Sequence, residues 1–440
     1  MNVIFLTMSC ITDVTQRDIY PDLMKKFRDS GHNVYIVTPR ERRMGIKTHL
    51  DYENGVHILG VKTLNIQKCS IVEKGLGQIL IEKQFKKAIK KHIGGIEFQL
   101  ILYSTPPITF PNVIKYLKKK SPNAKSYLLL KDIFPQNAVD LGMMSKTGMK
   151  SVIYSYFRKK EKALYKASDY IGCMSPANVE FVLKHNLEIT PERVEVAPNS
   201  VELREQDTVM NDPEQKKAAN YYIRTKYDLP LDIPIFIYGG NLGKPQGINY
   251  LIKCLDANKH RTDCYFVIVG SGTHYNLISE WYSKYKDYNV KLMQSLPKSD
   301  YDLLVKGCDV GLIFLDHRFT IPNYPSRLLS YLENKMPVLC ATDVNTDIGK
   351  IAEKNGYGYW CESVKPEDFA AIVDKMLSSD RKAMGAKGYE FLKANYLVEH
   401  TYNAIMKHLK CLESGSILLE AKNGACWPLD EDEMMKTPQE

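Results

Sequence analysis

Among the 440 residues there is no apolar run approaching the roughly 18 positions that a bilayer-spanning helix requires. The opening Met1–Thr7 lacks the basic region and small-residue cleavage site of a secretory signal, so the chain reads as unexported. Cysteine is present ten times, at positions 10, 69, 173, 254, 264, 308, 340, 361, 411 and 426, but never as C-x-x-C or in Cys/His ligand spacing. That scatter speaks against a structural zinc and against a disulfide framework, and fits reduced core thiols of a cytosolic protein. Two nucleotide fingerprints are also missing: neither G-x-G-x-x-G nor G-x-x-x-x-G-K-[ST] occurs. Nor is there self-similarity at solenoid spacing.

What is present describes an ordinary globular chain, 44% apolar and 25% charged, long enough for two or three domains. Its charge is uneven. Residues 1–200 hold 31 Lys and Arg against 18 Asp and Glu, a balance of +13, whereas the remainder holds 29 against 33, a balance of −4. The basic half lacks the interleaved aromatics and reader motifs of nucleic-acid binding, so nucleic acid is not expected as a partner. An anionic membrane surface or a lipid-linked pyrophosphate suits it better.

Short apolar runs at Asn2–Leu6, His32–Val37, Val56–Val61, Leu100–Tyr103 and Ser126–Leu130 read as buried strands. Helical stretches at Tyr20–Ser30, Gly75–His92 and Thr109–Lys120 lie between them. A charged segment, 201–232, breaks the series and ends in an expected helix at Ala218–Tyr227. A second series of strands follows at Ile233–Tyr238, Tyr265–Val269, Val290–Met293, Val310–Phe314 and Val338–Ala341. The alternation gives an α/β fold of two facing, doubly wound Rossmann-like domains with a deep cleft between them. The expected parts are an N-terminal domain over 1–200, a linker over 201–232 and a C-terminal domain over 233–385. A helix over 386–412 and a poorly ordered tail over 413–440 complete the chain.

The sharpest local signal is Gly239-Gly240-Asn241-Leu242-Gly243-Lys244-Pro245-Gln246-Gly247, between the apolar strand ending at Tyr238 and the helical run Ile248–Leu255. Glycines let backbone amides approach a phosphate, a helix start favours negative charge, and Lys244 adds a cation; a tight strand-to-helix turn is the plain alternative. Gly270-Ser271-Gly272 repeats the pattern after the next strand. Pro325-Ser326-Arg327 reads as a helix start with Ser326 as N-cap, which would aim amides and Arg327 at the same pocket. In the first half, Lys131 and Asp132 close a strand, and the loop Ser9–Asp18, with Thr12 and Arg17, overhangs the cleft. The D-x-D string Asp300-Tyr301-Asp302 opens a helix, where residues two apart do not share a face, so it reads as helix-start acids rather than a metal site. The helix Leu76–His92 sets Ile81, Phe85 and Ile89 on one face among five lysines, a pattern that fits a sheet-covering helix or a lipid-docking one.

These pieces, together with Asp132-Ile133-Phe134-Pro135-Gln136-Asn137-Ala138-Val139-Asp140-Leu141-Gly142 and Val196-Ala197-Pro198-Asn199-Ser200-Val201, resemble the retaining glycosyltransferases of family 4 over about residues 1–410. The similarity is greatest to bacterial members that build O-antigen, capsule or exopolysaccharide repeat units. It implies the GT-B fold, a cytoplasmic enzyme held peripherally at the inner leaflet, and transfer of a hexose-type sugar from a nucleotide-diphosphate donor, a UDP-sugar favoured. The acceptor would be a polyprenyl-diphosphate-linked saccharide. On the donor side the resemblance implies Gly240, Asn241, Gly243, Lys244, Gln246, Gly270, Gly272, Leu296, Pro325, Ser326, Arg327, Ser330 and Glu333. Lys244 and Arg327 would lie on the diphosphate, and Asp132 at the sugar; these three are the expected catalytic groups. The acceptor side would use Thr12, Arg17, Lys131, Gln136 and Asn137. Neither a cofactor nor a metal is expected, because fixed cations would stand in for a divalent ion. The family's paired glutamates are missing: counting back from Pro337 places Ser330 and Pro322 at their positions, with Glu333 one helical turn beyond Ser330. Two other classes remain open at this stage, a sugar-nucleotide epimerase and a non-catalytic nucleotide-sugar-binding subunit.

Overall fold

The computed structural model describes residues 1–66, 69, 71–203 and 213–410. Its first sheet comprises β1 (Asn2–Leu6), β2 (Asn33–Glu41), β3 (His49–Glu53), β4 (Val56–Thr63), β5 (Leu100–Ser104), β6 (Lys125–Leu130), β7 (Tyr170–Cys173) and β8 (Val194–Val196), in the order β3-β4-β2-β1-β5-β6-β7-β8. The second comprises β9 (Ile235–Asn241), β10 (Tyr265–Ser271), β11 (Val290–Met293), β12 (Val310–Phe314), β13 (Val338–Thr342) and β14 (Gly358–Glu362), in the order β11-β10-β9-β12-β13-β14. Neighbouring strands pair in parallel except β3 and β4, which form an antiparallel hairpin at the edge.

Continuous apolar strands arise because each sheet is covered on both faces. In β1, Ile4 and Leu6 belong to one core, while Val3 and Phe5 belong to the core behind the sheet. The same two-residue alternation in β9 sends Ile235 and Ile237 to one side and Phe236 and Tyr238 to the other. The expected lysine-bordered helix begins earlier, at Ile71, and runs to His92. Ile81, Phe85 and Ile89 are buried in the first core while Lys83, Lys86, Lys87, Lys90 and Lys91 face solvent, as a sheet-covering helix requires.

Three strands of the first sheet and one of the second were not anticipated. The hairpin β3–β4 turns at Asn54 and Gly55, both at positive φ (48° and 80°), the left-handed pair that a two-residue hairpin demands. β7, β8 and β14 are short or mixed in burial, so they carry little hydrophobic pattern. The helix expected after the linker runs from Pro213 to Lys226, and residues 204–212 of that linker lie outside the described residues. The single closing helix expected over 386–412 is instead two, Arg381–Asn395 and Val398–Lys410, broken at Tyr396. The second of these returns to the first domain: Ile405, Met406 and Leu409 pack with Val3 and Phe5. The chain crosses between domains beside it, where Val201 bridges Leu397. The tail at 413–440 lies outside the described residues.

In each sheet the strand order reverses direction once, beside β1 and β5 in the first and beside β9 and β12 in the second. Crevices outside the carboxyl ends of the strands at such points bind ligands. The loops after β1, β6, β9, β10, β11 and β12 all meet in one cleft between the two sheets. A strap from the second domain closes one end of it. Leu315, Phe319 and Ile321 are buried in the first domain's core, Thr320 is held by Asp140 (N to Oδ2 2.8 Å), and Asn178 Nδ2 donates to the Pro322 carbonyl at 2.8 Å.

Candidate active site

The cleft encloses about 820 Å³, within the range of a small-molecule site. Its C-terminal wall begins where β9 runs into glycine. Gly239 leaves no room for a side chain because the Tyr301 ring occupies that space; a Cβ built there falls 2.1 Å from the Tyr301 hydroxyl. Gly240 sits at φ 133°, open only to glycine, and Gly270 of β10 presses so close that a Cβ would stand 1.9 Å from the Gly240 carbonyl oxygen. The two glycine turns thus form one backbone surface rather than two independent ones. Asn241 and Gln246 lie on it, joined by a hydrogen bond of 2.8 Å from Asn241 Nδ2 to Gln246 Oε1, and Gly243 leaves room for that bond.

Above this surface stands Arg327. Its guanidinium lies 4.3 Å from the centre of the Tyr238 ring, a cation–π arrangement, and beside Gly240. Nη1 is sealed from solvent and has no hydrogen-bond partner, and among the described residues no carboxylate forms an ion pair with Arg327. A half-buried cation held by an aromatic ring rather than by a carboxylate is well placed to meet an arriving anion.

The N-terminal wall is built by the end of β6. The amides of Lys131 and Asp132 both donate to Thr105 Oγ1 (2.9 and 3.1 Å), which turns the chain so that the Asp132 carboxyl opens into the cleft. Enclosure by the cleft walls, which disfavours the charged form, pushes that carboxyl up to about 6 from 3.8. Lys131 points elsewhere, its Nζ donating to the Ala197 carbonyl at 3.0 Å, and burial pushes its ammonium down to about 7. Across the cleft mouth, Arg17 of the loop after β1 forms an ion pair with Glu333 of the Arg327–Glu333 helix.

The structure therefore brings together Arg17, Lys131, Asp132, Asn137, Gly240, Asn241, Gln246, Gly270, Leu296, Pro325, Ser326, Arg327 and Glu333. It does not bring Thr12, Gln136, Gly243, Lys244, Gly272 or Ser330 to the lining. Thr12 is exposed on the loop. Gln136 spends its amide on Asp140 and on Thr320 of the strap. Gly272 serves packing, since a Cβ would meet the Leu242 carbonyl at 2.3 Å. Ser330 lies one turn short of Glu333, and its carbonyl accepts from Asn334. Ser326 does not cap: its backbone is already helical (φ −64°, ψ −15°), its side chain makes no cap bond, and the helix it precedes has only seven residues.

Lys244 is the main correction. It opens a 3-10 turn, Lys244–Gln246, closed by Gly247 N to Lys244 O at 3.1 Å. Gly247 then takes a left-handed conformation (φ 59°) that reverses the chain into the Ile248–Asn258 helix. The turn consequently splits: Pro245 and Gln246 face the cleft, while Lys244 and the start of the helix face a second cavity on the other side. Residues that sequence reasoning passed over include Tyr301, Ser271, Asn323 and Tyr324. The doubled Gly239-Gly240 was the available signal for Tyr301, because two adjacent glycines at a strand end mark something packed close above.

Asp300 and Asp302 do part company. Asp300 accepts from Lys226 (3.1 Å) and Asp302 from Lys298 (3.3 Å). Among the described residues no group of three His, Cys, Asp or Glu side chains is arranged to hold a metal ion, and no helix is long and apolar enough to cross a membrane.

Comparison with known proteins agrees with this geometry. Residues 222–391 match the family described as glycosyl transferases group 1. The chain is 22% identical over 365 residues to a probable glycosyltransferase, WbjE, of Pseudomonas aeruginosa, covering 81% of this chain and 83% of that one. Among solved structures, sucrose-phosphate synthase from Thermosynechococcus elongatus superposes with a TM-score of 0.71 at 14% identity, covering 94% of this chain and all of that one. Anabaena Alr3699/HepE, solved in complex with UDP-glucose, gives a TM-score of 0.63 at 12% identity over 93% of this chain and all of that one. At such identities the structural likeness establishes the two-domain Rossmann-like architecture.

Proposed function

Because the chain is a glycosyltransferase of group 1, we propose that it transfers a hexose-type sugar, with retention, from a UDP-sugar to a lipid-linked saccharide in cell-surface polysaccharide assembly. The observation that carries the donor assignment is Arg327, a half-buried cation on the cleft floor that forms no ion pair with a carboxylate among the described residues. The complex of HepE with UDP-glucose supports a uridine nucleotide, and the basic N-terminal half supports an anionic lipid-linked acceptor at a membrane surface.

Breaking the bond between the anomeric carbon and the phosphate oxygen leaves negative charge on the diphosphate. Arg327 and the close backbone of Gly240 and Gly270 receive it, with Asn241 and Gln246 supplying amides, a reading supported by their shared position in the cleft lining. Asp132, on the opposite wall, meets the sugar, where its carboxylate opposes the positive charge that develops on the ring as the bond lengthens. The acceptor hydroxyl attacks from the face the diphosphate leaves, and its proton passes to the departing phosphate oxygen, so no protein nucleophile takes part. The fixed cation replaces a divalent ion, and transfer proceeds in the presence of a chelator. Contact between the two walls excludes water, which would otherwise hydrolyse the donor.

The test is incubation of the purified protein with UDP- and GDP-sugars, with and without a polyprenyl-diphosphate saccharide. Nucleotide release that depends on the acceptor is the expected outcome. Interconversion of the sugar without acceptor, or binding without turnover, would replace this reading with an epimerase or a binding subunit.

A further inference from the structure

The second cavity, about 360 Å³, lies behind the turn that carries Gln246 into the cleft. Lys244, Lys253, His274, Asp316, His317, Arg318 and Ser363 contribute its polar lining. Asp316 is already neutralised by Arg318, which donates from Nε and Nη2 to its two oxygens at 2.7 Å each. Lys244 and Lys253 have no ion-pair partner among the described residues, so three cations stand against one carboxylate. The first turn of the 11-residue Ile248–Asn258 helix also opens here, with no side chain capping it. Independently of the helix, Ser363 is 1% exposed at the cavity wall and its Oγ has no hydrogen-bond partner. The Nδ1 of His274 is sealed and unpartnered in the same way.

A helix start, two unpaired lysines and two unsatisfied polar atoms converging on one enclosed space is the chemistry of an oxyanion with several acceptor oxygens. Leaving Ser363 Oγ and His274 Nδ1 buried without a partner is costly, so the arrangement is explained by an occupant. The volume exceeds what a bare ion fills, and Ile248, Tyr250 and Val364 line the remainder. We propose that this cavity binds a phosphate group, presented by a small phosphorylated metabolite, at a site separate from the transfer cleft. The proposal does not depend on the identity of the sugar donor, because phosphate itself is the probe.

Isothermal titration of inorganic phosphate and, separately, of glucose 6-phosphate into the full-length chain tests it. Both are expected to bind, the ester more tightly by threefold or more. The double variant Lys244→Ala/Lys253→Ala should weaken both at least tenfold with an unchanged thermal midpoint, since both side chains reach solvent. Ser363→Val should weaken them about threefold, whereas Arg327→Ala should leave phosphate affinity within twofold, and UDP should not displace phosphate. Equal affinity for the two probes assigns free phosphate as the occupant and upholds the site. Absence of binding, binding indifferent to the lysine pair, or loss of binding in Arg327→Ala or on adding UDP would overturn it.

Discussion

Two groups that face each other across the cleft, Arg327 and Asp132, differ in sign and come from different domains. The C-terminal wall presents a guanidinium held over an aromatic ring with no carboxylate beside it. The N-terminal wall presents a carboxyl, Asp132, whose neighbouring lysine is tied back to a carbonyl. Cleaving a glycosyl phosphate makes charge of both signs, negative on the leaving group and positive on the sugar. Holding Arg327 and Asp132 on separate domains keeps these two from neutralising each other before substrate arrives. Such a division works only when both walls meet around the substrate, and the strap at 315–322 and the returning helix Val398–Lys410 hold them in that relation.

The largest loss of activity is expected at Arg327. Arg327→Ala removes the guanidinium beside Gly240 on the donor floor, and transfer is expected to fall by about 10²-fold or more. Arg327→Lys restores charge without the flat contact on Tyr238 and should recover only part of it. Acceptor-dependent UDP release is the measurement, and near-normal turnover in the alanine variant would remove the charge-division argument.

Asp132→Asn comes second, with an expected loss of about 10- to 100-fold in kcat/KM, and it also tests sign. Desolvation by the cleft walls pushes the carboxyl up to about 6 from its ordinary 3.8. Transfer should therefore fall on the acid side of about pH 6, and that limb should be missing in the asparagine variant. Stability should move the opposite way. A raised acid pKa means that the folded state holds its proton more tightly, so the charged group costs stability above pH 6 and the cost fades toward pH 4. Asp132→Asn should raise the thermal midpoint at pH 7.5 and leave it unchanged near pH 3.5.

The same contrast explains what could be read from the chain in advance. Strands such as Val310–Phe314 are buried on both faces, so their residues are apolar without interruption and their ends are marked by polarity. Gly240, Gly270 and Arg327 were legible because close backbone approach demands glycine, and a strand end is where side chains reach a cleft. The direction of Lys244 was not legible. It rests on one left-handed residue, Gly247, and on how that glycine packs against the backbone of Asp316, nearly seventy positions away. Asn54-Gly55 carried a hairpin signal that the strand pattern around it, with exposed Leu50 and Tyr52, did not reinforce. Glu333 entered as a displaced substitute for a missing family glutamate; the reach of Arg17 from the other domain depends on closure, which no local pattern encodes.

Third in expected size is the backbone surface itself. Gly270→Ala sets a methyl group against the Gly240 carbonyl, and because that neighbour is backbone it cannot turn aside. The two glycine turns must separate, so donor KM is expected to rise about tenfold and the C-terminal domain to lose about 1–3 kcal/mol, read as a lower thermal midpoint. A rise in KM without loss of kcat would indicate that the glycine surface binds the donor and Arg327 acts on the transition state.

The smallest effect is expected where the two walls touch. Arg17 and Glu333 pair across the mouth, partly screened from water. Removing either leaves a largely buried charge without its partner, a cost that falls mainly on stability; neither side chain meets the reacting bond, so Arg17→Ala and Glu333→Gln should each lower the thermal midpoint but lower kcat/KM only about three- to fivefold. The double variant should be no worse than the worse single one, because both remove the same contact. If the two losses instead multiply, Glu333 has a contact of its own with the donor.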